Sequence, residues 1–195
     1  VLFLTAYADP HAAGQFKVGY QLASGATTLV PGVFGALLLP MMANALSQGR
    51  EVAGRRFAAS TAYLALLALP LVAFGVVLAK PLIGLLYGSE YDEAAAVFAV
   101  CLAGTAIATC AQGGSSLLIS ADRQRAVLIM VICFGVLKLV LDAWLIRVDG
   151  LHGAMVAFFT VSIFNAIAYV TMAARVSGIS PDWARISRTL LASIL

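Results

Sequence analysis

Lys138 and Asp142 lie four positions apart inside an otherwise apolar stretch. On a helix that spacing puts them on one face, close enough to pair. A charge at the centre of a bilayer is costly unless paired or hydrated, so polar residues within apolar runs are the first functional candidates. Two readings stay open: a self-neutralising pair near the outer half of a helix, or a lysine offering its cation to a phosphate in a wet cavity. Lys17, Gln21, Ser24 and Thr28 recur at steps of four, three and four, with Tyr20 beside them. At about 100° per residue they share one stripe. Such a stripe on a membrane helix faces protein or water, never lipid, and serves as interhelical hydrogen bonding or as cavity lining. Thr105, Thr109, Gln112, Ser116 and Ser120 form a second stripe, and Ser162, Asn165 and Tyr169 a third. These two fit interhelical hydrogen bonding best.

No catalytic constellation emerges, and the chain is read as a non-enzyme. His11 and His152 fall near helix starts with no carboxylate or serine at motif spacing, so they are expected to be solvated. Cys101, Cys110 and Cys133 lack metal-ligand spacing and are expected to pack as small residues. No Walker A loop is present, so nothing points to nucleotide consumption. Neither a cofactor nor a metal is expected.

The elements that must position these residues are membrane helices. Hydrophobic residues make up 62% of the chain and charged residues 11%, against about 25% charged in soluble domains. That charge cannot clothe a soluble surface, and a mean hydropathy of +0.99 agrees. Charges cluster near positions 50, 90, 123, 149 and 182 and leave apolar runs between them. Those runs are long enough to cross a hydrocarbon core of ~30 Å. The expected fold is all-α, a polytopic helix bundle forming a single transmembrane region over 1–195. Its spans are placed at about 1–8 (partial), 12–47, 58–79, 94–120, 126–146, 153–174 and 183–195 (partial). Pro31, Pro40 and Pro70 fall inside spans and are expected to kink them. Small residues at Ala99, Ala103, Gly104 and Ala108, and at Gly150, Gly153, Ala154 and Ala157, allow close helix approach. Gly113 and Gly114 mark either a hinge or a close contact. Val1 and Leu195 both lie inside apolar stretches, so the chain reads as a fragment of a longer protein.

Orientation follows from the bias of Lys and Arg toward cytoplasmic loops. One set of loops holds Arg50, Arg55, Arg56, Arg123, Arg125, Arg175, Arg185 and Arg188. The alternate set holds Lys17, Lys80 and Arg147, with Asp9, Glu90, Asp92, Glu93 and Asp149. The loops near 50, 123 and 180 are therefore expected to be cytoplasmic. The net charge of +3 is a topology signal and implies no nucleic-acid partner.

Five stretches carry a family resemblance: AGQFKVGYQLA (Ala13 to Ala23), LLLPMMANALSQG (Leu37 to Gly49), Arg55 and Arg56 before an apolar run with Pro70, LLYGSEY (Leu85 to Tyr91), and LIRVDGLHGAMVA (Leu145 to Ala157). In order and spacing they resemble the multidrug/oligosaccharidyl-lipid/polysaccharide (MOP) flippase superfamily, best its bacterial Wzx-type polysaccharide and O-antigen exporters. The alignment is to the C-terminal half, from the end of a seventh helix into a thirteenth. The resemblance implies a V of two six-helix bundles around a central cavity, with this chain supplying most of the second bundle.

It also implies translocation of a polyprenyl-diphosphate-linked oligosaccharide across the inner membrane for polysaccharide or lipopolysaccharide biosynthesis. Expected partners are the lipid-linked oligosaccharide, membrane lipids, and a polysaccharide polymerase with its chain-length machinery. By this analogy the helix beginning near Ala12 lines the cavity, which puts Lys17, Tyr20, Gln21, Ser24 and Thr28 among the candidate substrate-binding residues. Lys138 joins them on the residue argument alone, since the family often has a neutral Asn there. Rival readings are a lipid II flippase of the MurJ type, a cation-coupled multidrug exporter, an integral-membrane glycosyltransferase or polymerase, and a non-transporting scaffold. LLYGSEY favours the polysaccharide branch, and the short complete loops disfavour a glycosyltransferase.

Overall fold

The computed structural model describes residues 2–7, 9–29 and 31–178, without the side chains of 2, 6, 7, 28, 29 and 31–36. The segment expected over 183–195, with Arg185 and Arg188, and the Thr28 side chain lie outside that description. The described residues form helices and no strand: α1 (Leu2–Tyr7), α2 (Pro10–Leu29), α3 (Pro31–Gln48), α4 (Arg50–Tyr87), a 3-10 turn (Ser89–Tyr91), α5 (Asp92–Cys110), α6 (Gln112–Ser120) and α7 (Gln124–Ser177). Three stretches, Arg50–Tyr87, Ser89–Ser120 and Gln124–Ser177, are long and apolar enough to cross a membrane. The third holds the two spans expected at 126–146 and 153–174.

Proline and glycine set the element ends. The stretch read as one kinked helix over 12–47 is helical over Pro10–Leu29 and Pro31–Gln48, with Val30 between them outside the description, and Pro10 opens the first of these segments. Proline suits a first helical position, where its missing N–H has no partner to lose. Pro40, Pro70 and Pro81 stay inside continuous helix. At about 1.5 Å per residue α4 is far longer than a bilayer core, so its first turns with Arg55 and Arg56 extend past the apolar layer. Gly49 joins α3 to α4 at φ 130, a backbone setting that a side chain disfavours. Inside α7, Gly150 is non-helical at φ 53 and ψ −119, dividing it into arms 124–149 and 151–177. A Cβ on Gly153 would collide with the Leu145 carbonyl, so the second arm folds back tightly on the first.

Two buried clusters mark the two ends of the bundle. One gathers Leu4, Phe16, Ile83, Val97, Leu102, Ile146 and Met155 from α1, α2, α4, α5 and α7. The other gathers Leu38, Met42, Phe57, Leu117 and Ala173 from α3, α4, α6 and α7. Small residues permit the approaches between helices. A Cβ on Gly19 would lie 2.7 Å from the Ala94 carbonyl oxygen, and one on Gly104 would lie 2.7 Å from the Phe158 ring. Gly113 and Gly114 are close contacts, facing Ser60 Oγ at 2.7 Å and the Tyr169 carbonyl at 3.0 Å from an added Cβ. The helix is interrupted two residues before Gly113, at Ala111, whose N–H tightens onto the Ala108 carbonyl at 3.2 Å.

The outer faces are apolar. Tyr63, Leu66, Phe74, Val77 and Leu85 on α4, and Leu128, Ile132, Val136, Leu139, Val140 and Trp144 on the first arm of α7, are exposed. Backbone groups satisfied within helices and apolar side chains turned outward are what a hydrocarbon solvent demands. The chain is thus an all-α membrane protein.

Candidate functional site

Helices α2 and α7 bring two of the candidate polar groups onto one aromatic ring. Lys138 Nζ donates to both carboxylate oxygens of Asp142, at 3.0 and 2.8 Å, so the i, i+4 pair is formed. The same ammonium lies 5.7 Å from the centroid of the Phe158 ring, on the returning arm of α7. Tyr20, from α2, meets that ring edge-on at 5.7 Å with an interplanar angle of 80°. Phe16, one turn earlier on α2, stacks on Tyr20 at 6.2 Å. A cation over a ring face and a T-shaped ring pair both follow the ring quadrupole, negative on its face and positive at its edge.

The cluster lies at the boundary of the bundle. The Lys138 side chain is 36% exposed and Asp142 16%, and Tyr20 is 41% exposed. Lys17 and Gln21 are exposed on α2 and Ser24 is half-buried. Polar groups this open at membrane depth border water or other protein, since hydrocarbon would leave them unsolvated. Asp142 occupies the near shell of Lys138, so an incoming phosphate would compete with a carboxylate already at hydrogen-bond distance. Lys17 makes no ion pair among the described residues.

Phe158 is the residue that sequence reasoning missed. It lies four positions before Ser162 on the third polar stripe, but its apolar type hides it from a search for polar spacing. Gln15 is a second such residue. It is 1% exposed on α2, off the polar stripe, and clamps the start of α5: its Nε2 donates to the Glu90 carbonyl at 2.6 Å, and its Oε1 accepts from Ala94 N–H at 2.9 Å. The bond from Ala94 satisfies an N–H in the first turn of α5, where Tyr91 at the N-cap makes no side-chain capping bond.

The second and third stripes do less cross-linking than expected. Thr105 Oγ1 donates to the carbonyls of Cys101 and Leu102, Thr109 to Thr105, and Ser162 to Phe158. Each bond turns back into its own helix, an option open to any hydroxyl one turn away from a carbonyl. Ser120 alone in these stripes crosses between helices among the hydrogen bonds of the described residues, reaching the Leu39 carbonyl at 3.3 Å.

Residues 1–96 match a family model described as "Polysaccharide biosynthesis protein". The match takes in α1 to α4 and the first turn of α5, and so includes Lys17, Tyr20 and Gln21; Lys138 and Phe158 lie beyond it. It supports a polysaccharide biosynthesis protein family. No curated protein and no solved structure matches the chain.

Proposed function

We propose that this chain is part of a flippase that moves a polyprenyl-diphosphate-linked oligosaccharide across a bacterial cytoplasmic membrane by alternating access. The observation that carries the reading is the convergence of Tyr20 and Lys138 on Phe158 at a partly open face of a membrane bundle. A sugar's ring C–H bonds stack well on aromatic faces, and a diphosphate seeks cations, so aromatic and cationic groups on one wet face suit this cargo while the lipid tail stays in the bilayer. The family match over residues 1–96 supports the biosynthetic context. In this reading the chain supplies one bundle of a MOP-type, Wzx-like transporter. It is not an enzyme, it needs no cofactor, and it works beside a polymerase and chain-length machinery. Lys17 is the cation for the diphosphate, and Tyr20 and Phe158 hold the sugar. The arginine-bearing loops near 50, 123 and 180 face the cytoplasm.

The test is translocation of lipid-linked oligosaccharide in membranes carrying the intact protein. A phosphate contact to a cation contributes about 1.5–3 kcal/mol, so Lys17→Ala is expected to slow translocation about tenfold or more at unchanged membrane abundance. Tyr20→Ala is expected to slow it as well. Unchanged rates in both variants would overturn the proposal.

A further inference from the structure

A pocket of about 140 Å³ lies where α5 breaks into α6 and is lined by Ala108, Ala111, Gln112, Ser115, Asn165, Ala166 and Tyr169. It is separate from the Tyr20–Phe158–Lys138 cluster: Asn165 follows Phe158 by seven residues along the second arm of α7, which is about 10 Å of helix. Two of its lining residues stand out. Gln112 Oε1 and Asn165 Oδ1 are buried and accept no hydrogen bond among the described residues. Native interiors leave few such atoms unpaired, and each one calls for a partner. The neighbouring hydroxyl of Ser115 is engaged with a carbonyl of its own helix, so it does not satisfy the amides.

The chemistry of the lining selects the partner. Two carboxamides, a hydroxyl and a phenol carry no formal charge, so a phosphate or a metal ion would enter the pocket without a counter-charge. Carboxamides present a donor and an acceptor side by side in one plane, which matches adjacent hydroxyls on a ring. The volume equals four or five waters at ~30 Å³ each, room for one sugar ring. The helix break at Ala111 opens the space, and Gly113 and Gly114 bring α6 against α4 and α7 directly below it. We infer that this pocket is a subsite for a neutral, hydroxyl-rich group, one sugar residue of the cargo. The assignment rests on the flippase reading above and adds a second sugar contact about two helical turns from the one at Tyr20 and Phe158.

The test uses the intact protein purified in a detergent without a sugar headgroup, to avoid competition. Binding of polyprenyl diphosphate is measured with and without its oligosaccharide, for wild type and for the Gln112→Met/Asn165→Leu double variant. Wild type is expected to prefer the sugar-bearing lipid about tenfold or more. In the variant the preference is expected to fall at least threefold, to the share that Tyr20 and Phe158 hold, with binding of the sugarless lipid unchanged. Because unpartnered amides stabilise nothing, the variant is also expected to melt at or above the wild-type temperature. An undiminished preference in the variant, or a variant that melts several degrees lower, overturns the subsite and leaves the flippase reading intact. Equal wild-type binding of both lipids overturns the subsite together with the sugar contact assigned to Tyr20 and Phe158. No binding of either lipid by wild type overturns the flippase reading and the subsite with it.

Discussion

Gln15 shows how one side chain ties two membrane helices together. It is buried, and it supplies both a donor and an acceptor to the backbone at the start of α5. Replacing it by leucine strands the Ala94 N–H and the Glu90 carbonyl, and a buried unpaired group costs about 1–3 kcal/mol. Gln15→Leu is therefore expected to lower stability by about 2 kcal/mol or more, read as a fall in thermal unfolding temperature in detergent. Lys138 and Asp142 follow a related logic. Asp142→Asn leaves an ammonium without its counter-charge and is expected to lower stability and membrane abundance. The double variant Lys138→Met/Asp142→Leu removes both charges and is expected to recover most of the loss. A double variant no better than Asp142→Asn would show that the pair does not act as a unit. The pair was legible from i, i+4 spacing, whereas the clamp made by Gln15 was not, because the backbone atoms it holds at Glu90 and Ala94 are more than seventy residues away.

At the scale of elements, the reversal inside α7 depends on glycine. Gly150 adopts φ 53 with ψ −119, and Gly153 sits against the Leu145 carbonyl. A β-branched residue at 150 would hold a sparsely allowed conformation, at a cost on the order of 1–3 kcal/mol. Gly153→Leu would also force the arms apart. Both substitutions are expected to reduce the yield of folded protein in membranes, Gly153→Leu the more, while Gly135→Ala, where an added Cβ meets nothing within 4 Å, should leave yield unchanged. Small-residue spacing located these contacts in advance. Spacing did not reveal that α5 stops at Cys110. Hydropathy is blind to such breaks, since it averages over a window while a break is set by a single residue's backbone.

Across the whole molecule, residues flanking the arginines converge at one end. Ala45, Ala53, Phe57, Leu117 and Ala173 share a cluster, and Arg50, Arg55, Arg56, Arg123, Arg125 and Arg175 lie close to them in sequence. The acidic residues Glu90, Asp92 and Glu93 lie beside the opposite cluster, which holds Ile83 and Ala94. On a Cys101→Ala/Cys110→Ala/Cys133→Ala background, single cysteines at Ser47 and Gln124 are expected to react with a membrane-impermeant maleimide only after permeabilisation, and cysteines at Glu90 and His152 in intact cells. The reverse pattern would invert the orientation.

The amino-acid sequence by itself determined the solvent of this protein, the helical class and the alternation of charged ends, because hydropathy and charge are properties of local composition. It also determined the pairing of Lys138 with Asp142, because one helical turn fixes that distance. Only the tertiary structure decided that Tyr20 and Lys138 meet on Phe158, that hydroxyls of the second and third stripes bond inward, and that Gln112 and Asn165 share a pocket. Those outcomes depend on how α2, α5, α6 and α7 rotate and pack against one another. Packing is set by small contacts summed over many residues distant in sequence, which no local spacing encodes.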